Sequence, residues 1–107
     1  MHAASDLLFR TLGDPTRRAL YERLARGEAL TVRALTARSG VSQPAVSRHL
    51  GVLRRAGLVE GRPAGRETHY SARPEGLEPL FGWMGRYATF WEGRFDALED
   101  LLKRMDQ

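Results

Sequence analysis

The clearest periodicity in the chain lies between residues 41 and 59. Val46, Leu50 and Leu53 fall at i, i+4 and i+7, one apolar stripe of a helix over about residues 43–56. Gln43, Ser47, Arg48, Arg54 and Arg55 point away from it. An apolar back with a Gln/Ser/Arg front suits a helix that docks on a core and offers hydrogen-bond donors outward, as base edges in a DNA major groove require. Before it, three shorter helical patterns are punctuated by glycine. Ser5 can cap a first helix with Leu7, Leu8, Phe9 and Leu12, apolar on most sides, with Leu8 assigned to a partner surface. Asp14-Pro15 opens a second, with Ala19, Leu20 and Leu24 inside and Arg17, Arg18, Arg23 and Arg26 mainly solvated. Thr31 caps a third, short helix closed by Ser39-Gly40, and Ser42 caps the fourth, whose Pro44 sits in the first turn. Two short helices joined by a tight Gly-containing turn make a helix-turn-helix.

After Gly57 the period changes to two. Residues 58–62 read as a strand, Pro63-Ala64-Gly65 as a tight loop and residues 66–71 as the return strand. A hairpin alone is marginal, so it must lean on the helices through Leu58, Val59 and Tyr70, with Arg62 and Arg66 at its tip. A basic hairpin following a recognition helix is the wing of a winged helix-turn-helix. From Glu75 to Met105 the helical period returns, as one long helix or two joined pieces with a bend before Arg86. Leu77, Leu80, Met84, Tyr87, Trp91, Leu98, Leu101 and Met105 form its stripe, widened by Phe81, Phe95 and Leu102. So small a head offers too little surface to cover this stripe, which predicts homodimerisation through Leu77, Leu80, Met84, Tyr87, Trp91, Phe95, Leu98 and Leu101. The predicted fold is mostly α with a small β-hairpin: a single winged-helix domain over 1–107, with a DNA-binding head at 5–73 and a long C-terminal dimerisation helix at 74–107.

Charge sharpens this division. Residues 1–73 carry 13 arginines and 6 carboxylates, a net +7, whereas residues 74–107 carry 4 basic and 7 acidic side chains, a net −3. A basic head with an acidic tail is the distribution expected when the head meets a polyanion. The 107 residues contain no cysteine, which removes disulfides and thiolate chemistry together. No apolar run approaches 18 residues and the first residues show no signal-peptide pattern, so a cytoplasmic location with no membrane partner is expected. No cofactor is expected, and no Gly-rich phosphate loop or nucleophile–base constellation supports an enzyme. Glu92, Asp96, Glu99 and Asp100 cluster, but at the spacing of a solvated helix face. A winged helix used as a protein-interaction module is the competing class; the +7 head and the polar front of the fourth helix argue against it.

Three segments together resemble the ArsR-type (arsenical-resistance-repressor-like) winged-helix transcription factors: Phe9-Arg-Thr-Leu-Gly-Asp-Pro-Thr-Arg-Arg-Ala-Leu20, Val41-Ser-Gln-Pro-Ala-Val-Ser-Arg-His-Leu50 running on to Val59, and Gly65-Arg-Glu-Thr-His-Tyr70. The aromatic segment 87–98 is similar to a subgroup without recognisable metal-binding motifs. The resemblance implies a homodimeric repressor on an inverted-repeat, double-stranded DNA operator, released by an unidentified effector. By position it implies base contacts from Gln43, Ser47 and Arg48, phosphate contacts from Ser42 and Arg54, and wing contacts from Arg62 and Arg66. Gly51 departs from the pattern, standing where many relatives carry a basic or polar side chain. His49 matches the family's frequent histidine but lies beside the apolar stripe, which favours packing or a buried hydrogen bond over DNA contact. Relatives that sense metals use cysteine pairs in the third helix or Asp/His and His/Glu on the last; here His2, His49 and His69 sit on separate elements, so no metal site is expected.

Overall fold

The computed structural model describes residues 3–91 and 94–106. Helix α1 (Ala3–Gly13) leads to α2 (Pro15–Ala25), strand β1 (Leu30–Thr31), α3 (Val32–Ala37), α4 (Gln43–Arg55), then β2 (Val59–Ala64) and β3 (Glu67–Ala72). A 3-10 turn (Pro74–Leu77) is followed by α5 (Glu78–Gly85), α6 (Ala88–Trp91) and α7 (Phe95–Met105).

The helix starts are set by local chemistry. The Asp14 side chain accepts the Arg17 N–H at 2.9 Å, and Pro15 follows at a position that has no helical acceptor to lose. That backbone hydrogen bond holds the Asp14 carboxyl below its ordinary range. Thr31 and Ser42 cap α3 and α4 by accepting the Ala34 and Ala45 N–H groups. Ser5, by contrast, is not a cap: α1 begins earlier, at Ala3, and Ser5 lies buried inside it.

Arg18 and Arg26 are exposed, as expected of a solvated face, whereas Arg17 and Arg23 are half-buried. Arg17 Nε donates to the Thr11 carbonyl and Arg18 Nη1 to the Leu12 carbonyl, each at 2.7 Å, and so satisfy carbonyls at the end of α1. Arg23 Nη1 donates to the Leu35 carbonyl at 3.0 Å, tying α2 to α3. These bonds brace the helices that carry α4.

The sheet has three antiparallel strands in the order β1-β3-β2. The unexpected strand β1 places Leu30 opposite Tyr70 and Thr31 opposite His69, so the wing is fastened to the start of α3. The hairpin is tighter than expected, because Pro63 and Ala64 belong to β2, opposite Thr68 and Glu67. Pro63 is admitted because β2 is an edge strand. The turn is then Gly65-Arg66, with Gly65 at φ 63°, as a II′ turn requires at its first central residue.

Leu8, Leu20, Leu24, Leu35, Val46, Leu50, Leu53, Leu58 and Val59 form the core. Leu8 was expected on a partner surface; at 2% exposure it lies in the chain's own interior instead. Leu77 and Leu80 likewise pack against this core, since the 3-10 turn folds back onto the end of α4. Arg73 N donates to the Leu58 carbonyl at 2.8 Å, and Gly76 sits directly on Gly57. A Cβ at Gly76 would meet the Gly57 carbonyl and come within 3.1 Å of the Leu58 Cα, backbone that cannot rotate aside. Gly76→Ala should therefore lower stability by about 1–3 kcal/mol in urea unfolding. Gly82→Ala, within α5 and with nothing within 4 Å of the added methyl, should raise it by roughly 0.5–1 kcal/mol.

The long C-terminal helix is replaced by the 3-10 turn and α5, α6 and α7. Pro79 restarts the helix in the first turn of α5, and α5 ends at Gly85, where the bend before Arg86 was expected. α5 packs on α1 through an edge-to-face contact of Trp83 with Phe9, ring centroids 5.2 Å apart. Beyond it the chain extends away from the head. The radius of gyration is 16.4 Å, against about 13 Å for a compact chain of this length.

Candidate nucleic-acid interface

Helix α4 separates its two faces as its sequence pattern requires. Val46, Leu50 and Leu53 are each 0% exposed, while Gln43, Ser47, Arg48, Arg54 and Arg55 all face solvent, as does the cap residue Ser42. At roughly 100° per residue, Gln43, Ser47 and Arg54 form one row along the front, and Pro44, Arg48 and Arg55 another. Gly51 lies between the rows. A Cβ there would make only ordinary contact with Arg55 Nη1 at 3.5 Å, so the gap in the front is a choice of residue and not a packing requirement.

His49 turns inward from this front. Its Nδ1 lies 3.2 Å from Arg17 Nη1. A guanidinium only donates, so Nδ1 accepts and the proton of the neutral ring falls to Nε2. The hydrogen bond is half-buried, and it ties α4 to α2, whose Arg17 also holds the end of α1.

The wing brings a second basic group to the same side. Arg62 on β2 and Arg66 in the turn are both exposed, with Glu60 Oε1 3.9 Å from Arg62. One open groove is lined by Gln43 at the start of α4, Arg33 of α3, and Arg66, Glu67 and Thr68 of the wing. The structure thus joins Gln43 and Arg66, two expected contact residues. Arg54 lies at the far end of α4, roughly 16 Å along the axis from Gln43. Two members of the groove were missed by sequence reasoning: Arg33 and Glu67 form an ion pair at 2.9 Å. Its signal is the sheet register. Thr31 faces His69, so continuing the antiparallel count brings position 33 toward 67, but that count requires β1.

Of the expected dimer residues, Met84, Tyr87, Leu98 and Leu101 are exposed. The side chains of Trp91 and Phe95 lie outside the described residues. Trp83, Met84, Tyr87 and Phe90 line an open apolar trough on α5 and α6. Among the described residues no group of three His, Asp or Glu side chains could hold a metal ion, and no helix is long and apolar enough to cross a membrane.

A helix-turn-helix whose second helix presents Gln, Ser and Arg, flanked by a sheet with a basic hairpin, defines a winged-helix DNA-binding transcriptional regulator. A helix-turn-helix domain family matches residues 12–62. The HTH-type transcriptional regulator Rv2034 of Mycobacterium tuberculosis is 44% identical over 88 residues, covering 82% of this chain and 81% of that protein. The transcriptional repressor SdpR of Bacillus subtilis is 29% identical over 77 residues, 72% of this chain and 84% of SdpR. The solved structure of an ArsR-like transcriptional regulator from Rhodococcus sp. RHA1 superposes with a TM-score of 0.72 at 30% identity, covering 92% of each chain. The chain belongs to the ArsR-type winged helix-turn-helix regulators.

Proposed function

We propose that this regulator is a homodimeric repressor that reads an inverted-repeat operator. The observation that carries the reading is the exposed front of α4, aligned with the basic wing while its apolar back is fixed in the core. Gln43, Ser47 and Arg48 meet base edges in the major groove, Ser42 and Arg54 approach phosphates, and Arg62 and Arg66 extend the contact from the wing. The exposed apolar side chains of α5 and α7 supply the dimer surface, with Met84, Tyr87, Leu98 and Leu101 as its described members. An effector that releases the dimer belongs to the same reading, and its chemistry differs from the thiolate-bound metals of the family's cysteine-bearing members.

Selection from random duplexes should return two half-sites related by a two-fold axis, with centres roughly 34 Å apart. In sedimentation the protein should be a dimer at micromolar concentration. Leu101→Asp should weaken that dimer by about 30-fold or more, the loss expected at a central apolar anchor, with no loss of helix content. A micromolar monomer, or a Leu101→Asp variant that dimerises as tightly as the parent, would contradict the dimer.

A further inference from the structure

The groove between α3 and the wing contains an ion pair between Arg33 and Glu67. Arg33 Nη2 contacts Glu67 Oε1 at 2.9 Å, with the two side chains 80% and 40% exposed. The contact follows from the fold: Thr31 faces His69 in the β1–β3 ladder, and Ala64 faces Glu67 across the two-residue turn. Glu67 is thus fixed beside Arg66, at the root of the basic turn. The groove's other members include Gln43, the first residue of the recognition helix. A groove bounded by the start of α4 on one side and the wing turn on the other opens toward whatever those two elements bind. The first helix of a helix-turn-helix crosses the DNA backbone, and Arg33 projects from that helix.

We infer that Arg33 is a further phosphate-contacting residue, paired with Glu67 in the free protein, and that Glu67 lowers affinity for duplexes of every sequence. The inference rests on the DNA-binding reading. An ion pair this exposed is weakly held, and a guanidinium carries five donors in a planar fork, so Arg33 engages a phosphate oxygen while releasing or sharing the carboxylate. The Glu67 carboxylate then stands among phosphates, and its repulsion is independent of base sequence because phosphates are. Glu67 therefore leaves discrimination intact while limiting retention on non-operator DNA.

Three variants of the full chain test this against an operator duplex and a scrambled duplex over a salt series. Glu67→Gln should bind both duplexes about threefold more tightly at about 50 mM salt, with an unchanged operator-to-scrambled ratio and an advantage that fades near 1 M. Arg33→Ala should weaken both and reduce the slope of log K against log salt by about one. The double variant should recover part of the Arg33→Ala loss yet bind less tightly than Glu67→Gln. Weaker binding by Glu67→Gln, an Arg33→Ala slope equal to the parent's, or a double variant equal to Glu67→Gln overturns the inference. The last outcome would mean that Arg33 only neutralises Glu67. Unchanged binding in all three variants sinks this inference alone, whereas a parent protein that binds neither duplex sinks the DNA reading with it. Both side chains are exposed, so thermal melts should match the parent. A melt lowered by several degrees in Glu67→Gln, with binding falling in step, assigns the pair a structural role and also counts against the inference.

Discussion

Leu50→Ala should destabilise the protein by about 2–5 kcal/mol, the range for a fully buried leucine truncated in a core. Leu50 is 0% exposed on the back of α4 and belongs to the same core as residues of α1, α2, α3, β2 and the α4–β2 junction. Total stability of a domain this size is roughly 5–15 kcal/mol, so the variant would lose a large fraction of it. DNA affinity should fall in proportion to the unfolded population and recover where the variant is fully folded, because Leu50 supplies no group to the front. Urea unfolding followed by binding at low temperature checks both parts. Val52→Ala, at a partly exposed position of the same helix, should cost under 1 kcal/mol or so. Equal losses from the two would mean that the back of α4 is not docked as described.

Arg48→Ala should reduce discrimination between operator and unrelated DNA by about 1–3 kcal/mol, the value of a bidentate base contact. Arg48 is exposed on the front row of α4, remote from the core, so the loss should appear in specificity with little change in stability. Arg66→Ala should behave differently. Arg66 sits in the hairpin turn, where a phosphate contact is sequence-blind, so affinity should drop for every duplex and the salt slope should fall by about one. Binding isotherms for the two variants on operator and scrambled duplexes separate these outcomes. Equal, sequence-independent losses from both would refute the division of labour between recognition helix and wing.

What could be seen in the chain before its structure was known depended on how local the cause was. The Val46, Leu50 and Leu53 stripe sorted the faces of α4 correctly because helical periodicity is a property of one segment. The caps Asp14, Thr31 and Ser42 were legible for the same reason, since each accepts an N–H only three residues away. The misread features were set at a distance. Arg17 and Arg23 look like any solvated row, yet each donates to a carbonyl of another helix. Strand β1 is two residues long and has no pattern of its own; it exists because β3 lies beside it. Leu8 and Leu77 carry the same apolar signal whether they face their own core or a partner, and only the folded-back 3-10 turn decides between the two. In the C-terminal segment the stripe of leucines and aromatics suggests one long helix or two joined pieces; Pro79 and Gly85 make the bend before Arg86 legible, but the division into a 3-10 turn, α5, α6 and α7 has no such local signal. The Arg33–Glu67 pair needed both β1 and the shortened wing turn before it could be seen.

The central claim is that α4 and the wing bind duplex DNA selectively, through base contacts on a phosphate-held frame. Equilibrium binding of the unmodified protein to a selected operator duplex and its scrambled counterpart, between about 50 and 200 mM salt, tests it most directly. Operator binding should be at least about 10³-fold tighter than scrambled, with affinity for both falling steeply as salt rises because contacted phosphates release counterions. Indistinguishable affinities for the two duplexes, or binding indifferent to salt, would contradict it.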